Sequence, residues 1–231
     1  FLKEEACLDL HDLQKLIISR PTVISYSTEK KMRPVIKFLR DDLKSSKWKI
    51  VISRYPQVLT LPVDSLKAKS NIIKNICQLK EWNEVSLVIA RFPPLLWLSE
   101  DNITSKVNYI QKNFLLSNGE LRNAIMSYPQ ILGLSVEQNL QPKVEYLLSN
   151  PLDNNMGGSG GAGLSREELK EFFLYQPALV AYSFKGRIRP RIERLHRNYI
   201  SFNYVPYYLM SLSDEKFNQW VDLQNSSWSI K

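Results

Sequence analysis

The chain has 231 residues, of which 44% are apolar, and a formal net charge of +8 at pH 7. No stretch approaches the roughly 18–20 apolar residues that a bilayer-spanning helix needs, which argues against a membrane protein. The two cysteines do not form a CxxC pair, which favours reduced, buried thiols. The two histidines have no cysteine or carboxylate partners at the spacing of metal ligands, which argues against a metal site.

Five prolines follow one another at intervals of 35, 37, 36 and 48 residues. Apolar residues recur eight, five and four positions before each proline, which is the spacing of one helix face. Because proline disfavours helical geometry in the residue before it, each proline is predicted to lie just past the end of an amphipathic helix. These repeat prolines are Pro21, Pro56, Pro93, Pro129 and Pro177.

A pair of aliphatic residues follows each repeat proline two and three positions later, and this short motif predicts a single 3₁₀ turn or a tight loop that fills the core. Thirteen residues after the repeat proline, three of the five repeats carry a further proline that opens an apolar-periodic stretch: Pro34, Pro142 and Pro190. Proline is favoured in the first turn of a helix, so we expect these residues to begin a second helix. One repeat therefore comprises a helix, a short turn and a second helix.

A period in this range is typical of a stacked repeat array. The sequence predicts an all-α fold: a curved helical-repeat solenoid, right- or left-handed, of about five to six helix-turn-helix repeats in one array over residues 1–231. Residues 213–231 are expected to form a C-terminal tail.

A glycine-rich segment over residues 153–164 accounts for most of the extra length of the last interval. A phosphate-binding glycine loop would need a preceding strand, which the pattern does not provide. The segment is therefore predicted to be a flexible surface loop inserted between repeats. Ser165 followed by Glu168 predicts a capping box that opens the next helix.

Positive charge is concentrated in two segments: residues 30–49 carry a net charge of +6, residues 185–197 carry +5, and the remaining residues sum to −3. Concentrated positive charge on an extended scaffold is typical of nucleic-acid binding, and arginine forks suit phosphate oxygens. The alternative for both clusters is a solvated helix face with internal pairs such as Arg189 with Glu193. The expected contact residues are Lys185, Arg187, Arg189, Arg191, Arg194 and Arg197, together with Arg33, Lys37 and Arg40.

Residues 187–199 are predicted to form one helix with an apolar stripe of Ile188, Ile192, Leu195 and Tyr199. Arg187, Arg191 and Arg194 lie on a second stripe beside it, and Arg189 and His196 flank its other side. The sequence contains no Ser-His-Asp order, no paired-carboxylate motif and no P-loop. We therefore expect a protein that is not an enzyme and that has no cofactor, metal or small-molecule substrate.

Each repeat proline is followed by any residue, two aliphatic residues, any residue, and then leucine or tyrosine. This repeated unit resembles the mTERF (mitochondrial transcription termination factor) family. The expected match is an organellar member of plant or algal type. The string that begins at Tyr182 and Ser183 and runs through Ile188, Pro190 and Arg191 is similar to the closing repeat of that family. The resemblance covers roughly residues 8 to 223. Arg20 and Gln176 depart from it, since the middle repeats carry an aromatic residue before the proline. Because family members often have more repeats, the resemblance also allows a truncated chain that lacks repeats at its N-terminal end.

This resemblance implies a basic concave face that follows duplex DNA, a role in regulating or terminating transcription, and residence in a mitochondrion or chloroplast. Two alternatives remain open. One is an RNA- or rRNA-binding factor or structural component, with protein partners in an organellar ribosome or another large assembly. The other is a scaffold for protein–protein interaction. No membrane partner is expected.

Overall fold

Helices and helical turns make up every regular element in the residues that the computed structural model describes, namely 1–6, 8–43, 47–151, 160–202 and 205–228, with side chains described up to residue 224. The predicted all-α helical-repeat class is confirmed. In chain order the helices are α1 Leu10–Ser19, α2 Arg33–Lys37, α3 Trp48–Arg54, α4 Val63–Ile76, α5 Trp82–Arg91, α6 Glu100–Asn113, α7 Asn118–Ser127, α8 Gln141–Leu148, α9 Arg166–Tyr175, α10 Arg189–Arg197 and α11 Asp214–Trp228.

Each repeat proline opens a 3₁₀ turn directly after the first helix of its repeat, as predicted. The aliphatic residue two positions after the proline is fully buried in all five repeats, so the turn seals the apolar space beside the helix that it ends. The turns are Pro21–Ser25, Pro56–Thr60, Pro93–Trp97, Pro129–Gly133 and Pro177–Ala181, and a sixth turn of the same kind, Tyr207–Ser211, precedes α11.

The second helices begin earlier than the sequence predicted. Where we expected Pro34, Pro142 and Pro190 to open a helix, a π-helical turn starts six residues before each of them: Thr28–Met32, Val136–Leu140 and Phe184–Ile188. Proline has no N–H to donate, and its ring crowds the carbonyl four residues back, so the helix widens just before it. In α4 and α6, Lys69 and Lys106 occupy the proline's position, and no such turn is present there.

The chain divides into two units, Phe1–Asn108 with Asn118–Gly133 and Tyr109–Ser117 with Leu134–Lys231. In the first unit, the turn Pro56–Thr60 packs on α1 and α2, and the turn Pro93–Trp97 packs on α4. In the second unit, the turn Pro177–Ala181 packs on the π-helical turn that leads into α8. A 3₁₀ turn thus lies against the second helix of the preceding repeat in both units.

A lysine on the second helix donates a hydrogen bond to a carbonyl in, or directly after, the 3₁₀ turn of the next repeat; we call this contact the turn clasp. Lys106 and Lys143 are almost fully buried, and burial lowers the pKa of Lys143 to about 8. A buried ammonium needs acceptors, and the turn carbonyls supply them. The pairs are Lys69 Nζ with Leu98 O at 2.6 Å, Lys106 Nζ with Leu132 O at 2.8 Å and Lys143 Nζ with Val180 O at 2.5 Å.

The end of the glycine-rich segment is packed, contrary to the expectation of a flexible surface loop over residues 153–164. Gly160, Gly161, Ala162 and Leu164 are buried. The backbone of residues 161–164 donates four hydrogen bonds to carbonyls of residues 146–150 at 2.8–3.0 Å. Gly160 and Gly161 are needed because the chain lies directly against this backbone, which an added Cβ would meet at 2.0 and 2.3 Å. Residues 153–159 lie outside the described residues.

The predicted capping box between Ser165 and Glu168 is present.

Among the described residues, three residues other than glycine have a left-handed backbone, and they occupy the same place in three repeats, twenty-two residues after the repeat proline. They are Gln78, Leu115 and Tyr199, with φ values of 57°, 51° and 58°. In each case the next residue donates its N–H to a carbonyl five positions back, which ends the second helix. Tyr199 was expected on the apolar stripe of the basic helix, but it follows α10 and is 100% exposed.

The C-terminal tail begins with a helix. Ser213 caps α11 by accepting a hydrogen bond from the Lys216 N–H, and Phe217 and Val221 are buried. The turn Tyr207–Ser211 and α11 therefore form the second half of a sixth repeat.

We predict that Gly161→Ala destabilises the fold by about 3 kcal/mol, because an added Cβ would lie 2.3 Å from the Tyr146 carbonyl oxygen. The matched control is Gly119→Ala in the first turn of α7, where an added Cβ meets nothing within 4 Å. That variant should be neutral or stabilised by up to about 1 kcal/mol. Urea denaturation followed by circular dichroism measures both values, and equal effects would contradict the packed position of Gly161.

We predict that Tyr199→Gly stabilises the protein by about 1 kcal/mol, because glycine adopts the left-handed backbone without strain and the exposed tyrosine ring loses no packing. Tyr199→Ala keeps the Cβ and should show no such gain. The midpoint of urea unfolding distinguishes the two variants, and a destabilised Tyr199→Gly would show that the ring contributes to the fold.

Candidate nucleic-acid interface

The last complete repeat presents the denser of the two basic clusters, residues 185–197, on one continuous helix. Ser183 accepts a hydrogen bond from the Gly186 N–H at 3.0 Å, and the chain then runs through the turn Phe184–Ile188 into α10. Ile188, Ile192 and Leu195 are buried and anchor this helix on the core. The cations between them are held at defined positions by these apolar contacts.

Arg191 does not lie on the surface, contrary to the expectation that it contacts a phosphate. Its side chain is 4% exposed, and its Nη1 donates to the carbonyls of Leu209 and Met210 at 2.8 and 3.0 Å. Its Nη2 donates to Leu212 O at 2.7 Å and to Asp214 Oδ1 at 2.6 Å. Arg191 therefore makes the turn clasp to the sixth turn, and its hydrogen bond lowers the pKa of Asp214.

The other five predicted cations of this cluster are less buried than Arg191. Lys185 is exposed, the Arg187 guanidinium lies 4.8 Å from the centre of the Tyr182 ring, and the Arg197 side chain is 73% exposed. Two guanidiniums are engaged by carboxylates: Arg189 Nε lies 2.6 Å from Glu193 Oε1, and Arg194 Nη2 lies 2.9 Å from Asp222 Oδ1. Hydrogen bonding to Glu193 raises the pKa of Arg189.

These carboxylates weaken the local positive charge without removing it. Glu193 lies between Arg189 and Arg197, with 3.9 Å separating its Oε2 from Arg197 Nη2. Exposed ion pairs contribute little to stability, about 0–1 kcal/mol, so Arg194 can exchange Asp222 for a phosphate oxygen at small cost. The pair of Arg189 with Glu193 is partly buried, so its exchange costs more. The geometry supports Lys185, Arg187 and Arg197 as the most available cations.

The first basic cluster is more strongly neutralised than its sequence window indicates. Arg33 Nη2 lies 2.5 Å from Glu5 Oε1, and its Nη1 also pairs with Glu29; both carboxylates lie outside residues 30–49. These hydrogen bonds raise the pKa of Arg33. Arg40 pairs with the adjacent Asp41 at 2.7 Å and lowers the pKa of that carboxyl. Lys37 is exposed.

The fold also assembles a basic depression that the charge counts over short sequence segments did not reveal. It has a volume of about 560 Å³ and is lined by Lys74, Gln78, Lys80 and Arg122 among others. Arg122 Nε donates to Glu84 Oε2 at 2.9 Å, and hydrogen bonding from Arg122 lowers the pKa of Glu84 to about 2. Because Lys80 and Arg122 are far apart in sequence, no charge window could have brought them together.

Among the described residues, no helix combines the length and the apolar character that crossing a bilayer requires. Within the same ranges, no three side chains of histidine, cysteine, aspartate or glutamate come together as metal ligands would.

A model of the mTERF family matches residues 11–218, which is most of the chain and includes both basic clusters. No curated protein matches the sequence closely enough to count as a relative.

We predict that Arg191→Met destabilises the protein by at least about 3 kcal/mol, because the carbonyls of Leu209, Met210 and Leu212 lose their donor. The control is Arg197→Met on the same helix, which should change stability by about 0.5 kcal/mol or less because this side chain is mostly exposed. Chemical denaturation of the two variants measures the difference. A fully stable Arg191→Met variant would return Arg191 to the set of candidate ligand contacts.

Proposed function

Because the chain belongs to the mTERF family, whose members are generally nucleic-acid-binding proteins linked to transcription termination, we propose that it binds double-stranded DNA and regulates or terminates transcription in a mitochondrion or chloroplast. The family is a helical-repeat binding family that is not known for enzymes, and its members are typically organellar. The proposal is therefore one of binding, without a catalytic step.

The observation that carries the proposal is the row of available cations along residues 185–197. Lys185, Arg187 and Arg197 contact phosphate oxygens, and Arg189 and Arg194 join them when a phosphate replaces Glu193 or Asp222. Such contacts position a protein on the duplex but carry no direct sequence information. Sequence preference then comes from a few base edges or from the shape of the DNA.

Arg191 contributes to binding indirectly. By holding the sixth turn, it fixes α10 against the end of the array, so the exposed cations of that helix keep a constant spacing. A preorganised helix loses less conformational entropy on binding than a mobile one. Arg33, Lys37 and Arg40 form a second contact region, in which Lys37 is exposed and the two arginines first exchange their carboxylate partners.

We predict that the variant Lys185→Ala, Arg187→Ala, Arg197→Ala binds duplex DNA more weakly and shows a flatter salt dependence. Each lost phosphate contact reduces the slope of log K against log salt by about 0.9, so the slope should change by roughly 3. Fluorescence anisotropy with labelled duplex DNA across a salt series measures this, and circular dichroism verifies that the helices are retained. The control is a second triple variant, Lys3→Ala, Lys15→Ala, Lys112→Ala, which removes three exposed cations outside the clusters.

The same titration with duplex RNA and with single strands separates the alternatives. Tighter binding to duplex RNA would replace the DNA proposal by a role in RNA processing or in an organellar ribosome. Absence of binding to any nucleic acid at low salt would point to a protein-interaction scaffold. A salt slope that the triple variant leaves unchanged would place the contact elsewhere on the molecule.

A further inference from the structure

A second depression adjoins the basic depression within the first unit. It has a volume of about 280 Å³, and its apolar walls are Phe38, Leu43 and Trp82. Phe38 and Leu43 are buried, whereas Trp82 is 36% exposed, so the indole presents an open apolar surface. We call this space the apolar depression.

One face of α4 connects the two depressions. Asn71 lines the apolar depression, and Asn75, one helical turn further along α4, lines the basic depression. Lys74 also lines the basic depression, and its Nζ lies 5.6 Å from the centre of the Trp82 ring. The two spaces therefore form one continuous surface, which we call the double depression.

The basic depression carries two positive charges that no carboxylate neutralises. Glu84 pairs with Arg122 through both of its oxygens, and its Oε2 also accepts the Lys80 N–H at 2.9 Å, so its charge is balanced by Arg122. Among the described residues, no ion pair engages the ammonium group of Lys74 or of Lys80. Two such groups beside an exposed indole favour an anionic ligand that also has an apolar part.

Carboxylates fit this surface better than the phosphates of a nucleic-acid strand. The Arg122 fork, which would suit a phosphate, is occupied by Glu84. Asp42 lies in the wall of the apolar depression, with its Oδ2 3.7 Å from Lys67 Nζ. A strand that stacked a base on Trp82 would bring its phosphates close to this carboxylate, whereas an uncharged leucine or phenylalanine side chain meets no repulsion there.

We propose that the double depression binds an acidic segment of a partner protein. A leucine or phenylalanine of the segment enters the apolar depression, and carboxylates one or two residues further along reach Lys74 and Lys80. An extended chain advances roughly 3.3 Å per residue, so this spacing matches the 5.6 Å between Lys74 Nζ and the indole of Trp82. These lysines belong to neither basic cluster, so the proposal adds a protein partner to the nucleic-acid binding proposed above and does not depend on it.

A short synthetic peptide tests the proposal, with a leucine and a phenylalanine at its centre and glutamates on both sides. Its fluorescein-labelled form should bind the full chain in anisotropy titrations. One comparison peptide carries glutamine in place of the glutamates, and another carries serine in place of the leucine and phenylalanine. Both should bind at least about tenfold more weakly, because the first loses the contact with the lysines and the second loses the apolar anchor.

The variant Lys74→Glu, Lys80→Glu should also weaken binding of the acidic peptide by at least about tenfold, because repulsion replaces attraction. Neither side chain is buried, and circular dichroism verifies that the helices are retained. The matched control Lys3→Glu, Lys15→Glu makes the same change in net charge on exposed side chains outside the double depression. It should bind the peptide as the original chain does in physiological salt, which screens distant charges.

A plug variant tests the location without changing any charge. Gly119 lines the basic depression, and an added Cβ there meets nothing within 4 Å, so Gly119→Phe fills the space without a clash. This variant should bind the acidic peptide more weakly. In the nuclear magnetic resonance spectrum of the original chain, the indole signal of Trp82, assigned with Trp82→Phe, should shift when the peptide binds.

Three results would overturn the proposal. The first is absence of binding to the acidic peptide at millimolar concentration, or binding that Lys74→Glu, Lys80→Glu and its control weaken equally. The second is a Trp82 signal that the bound peptide leaves unmoved. The third is a loss of DNA affinity in Lys74→Glu, Lys80→Glu, and not in its control, that equals the loss of peptide affinity, because the double depression would then belong to the nucleic-acid interface.

Discussion

The 3₁₀ turn that follows a repeat proline is the constraint on which the structure depends, because carbonyls in the turn or directly after it accept hydrogen bonds from the second helix of the preceding repeat. A cation on the preceding second helix supplies the missing donor at four successive turns: Lys69, Lys106, Lys143 and Arg191. Each clasp couples a charge that needs acceptors to carbonyls that need donors, so neither group can be removed alone without leaving the other unsatisfied. The register between neighbouring repeats follows from this pairing.

The periodic pattern of prolines and aliphatic residues was sufficient to predict the helices, the 3₁₀ turns and the all-α repeat class, since these depend on local geometry. The pattern could not predict the π-helical turns before Pro34, Pro142 and Pro190, which arise from crowding inside a helix that has already begun. It also assigned flexibility to glycines at the end of the inserted segment that are in fact required by a close approach of two backbones. In both cases the deciding contact lies outside the residue's own motif.

The basic site shows a similar limit. Sequence windows located the charge of residues 185–197, but Arg191 and Arg197 are indistinguishable in a sequence, while one is buried in a clasp and the other is exposed. The clasp cations lie thirteen residues (Lys69 and Lys106) or fourteen residues (Lys143 and Arg191) after their repeat proline, and this offset is the signal that separates a structural cation from a surface one. The neutralisation of Arg33 by Glu5 and Glu29 depends on the fold and could not be read from a charge count.

The clasp also gives the array a direction. In every case the donor precedes its acceptor along the chain, so the helix that carries the cation leaves the ribosome before the turn that it satisfies. A new turn can therefore fold against a helix that is already in place, which limits the exposure of unpaired carbonyls and apolar surface during synthesis. Repeat arrays fold by propagation between neighbours, and this polarity favours growth from the N-terminal side.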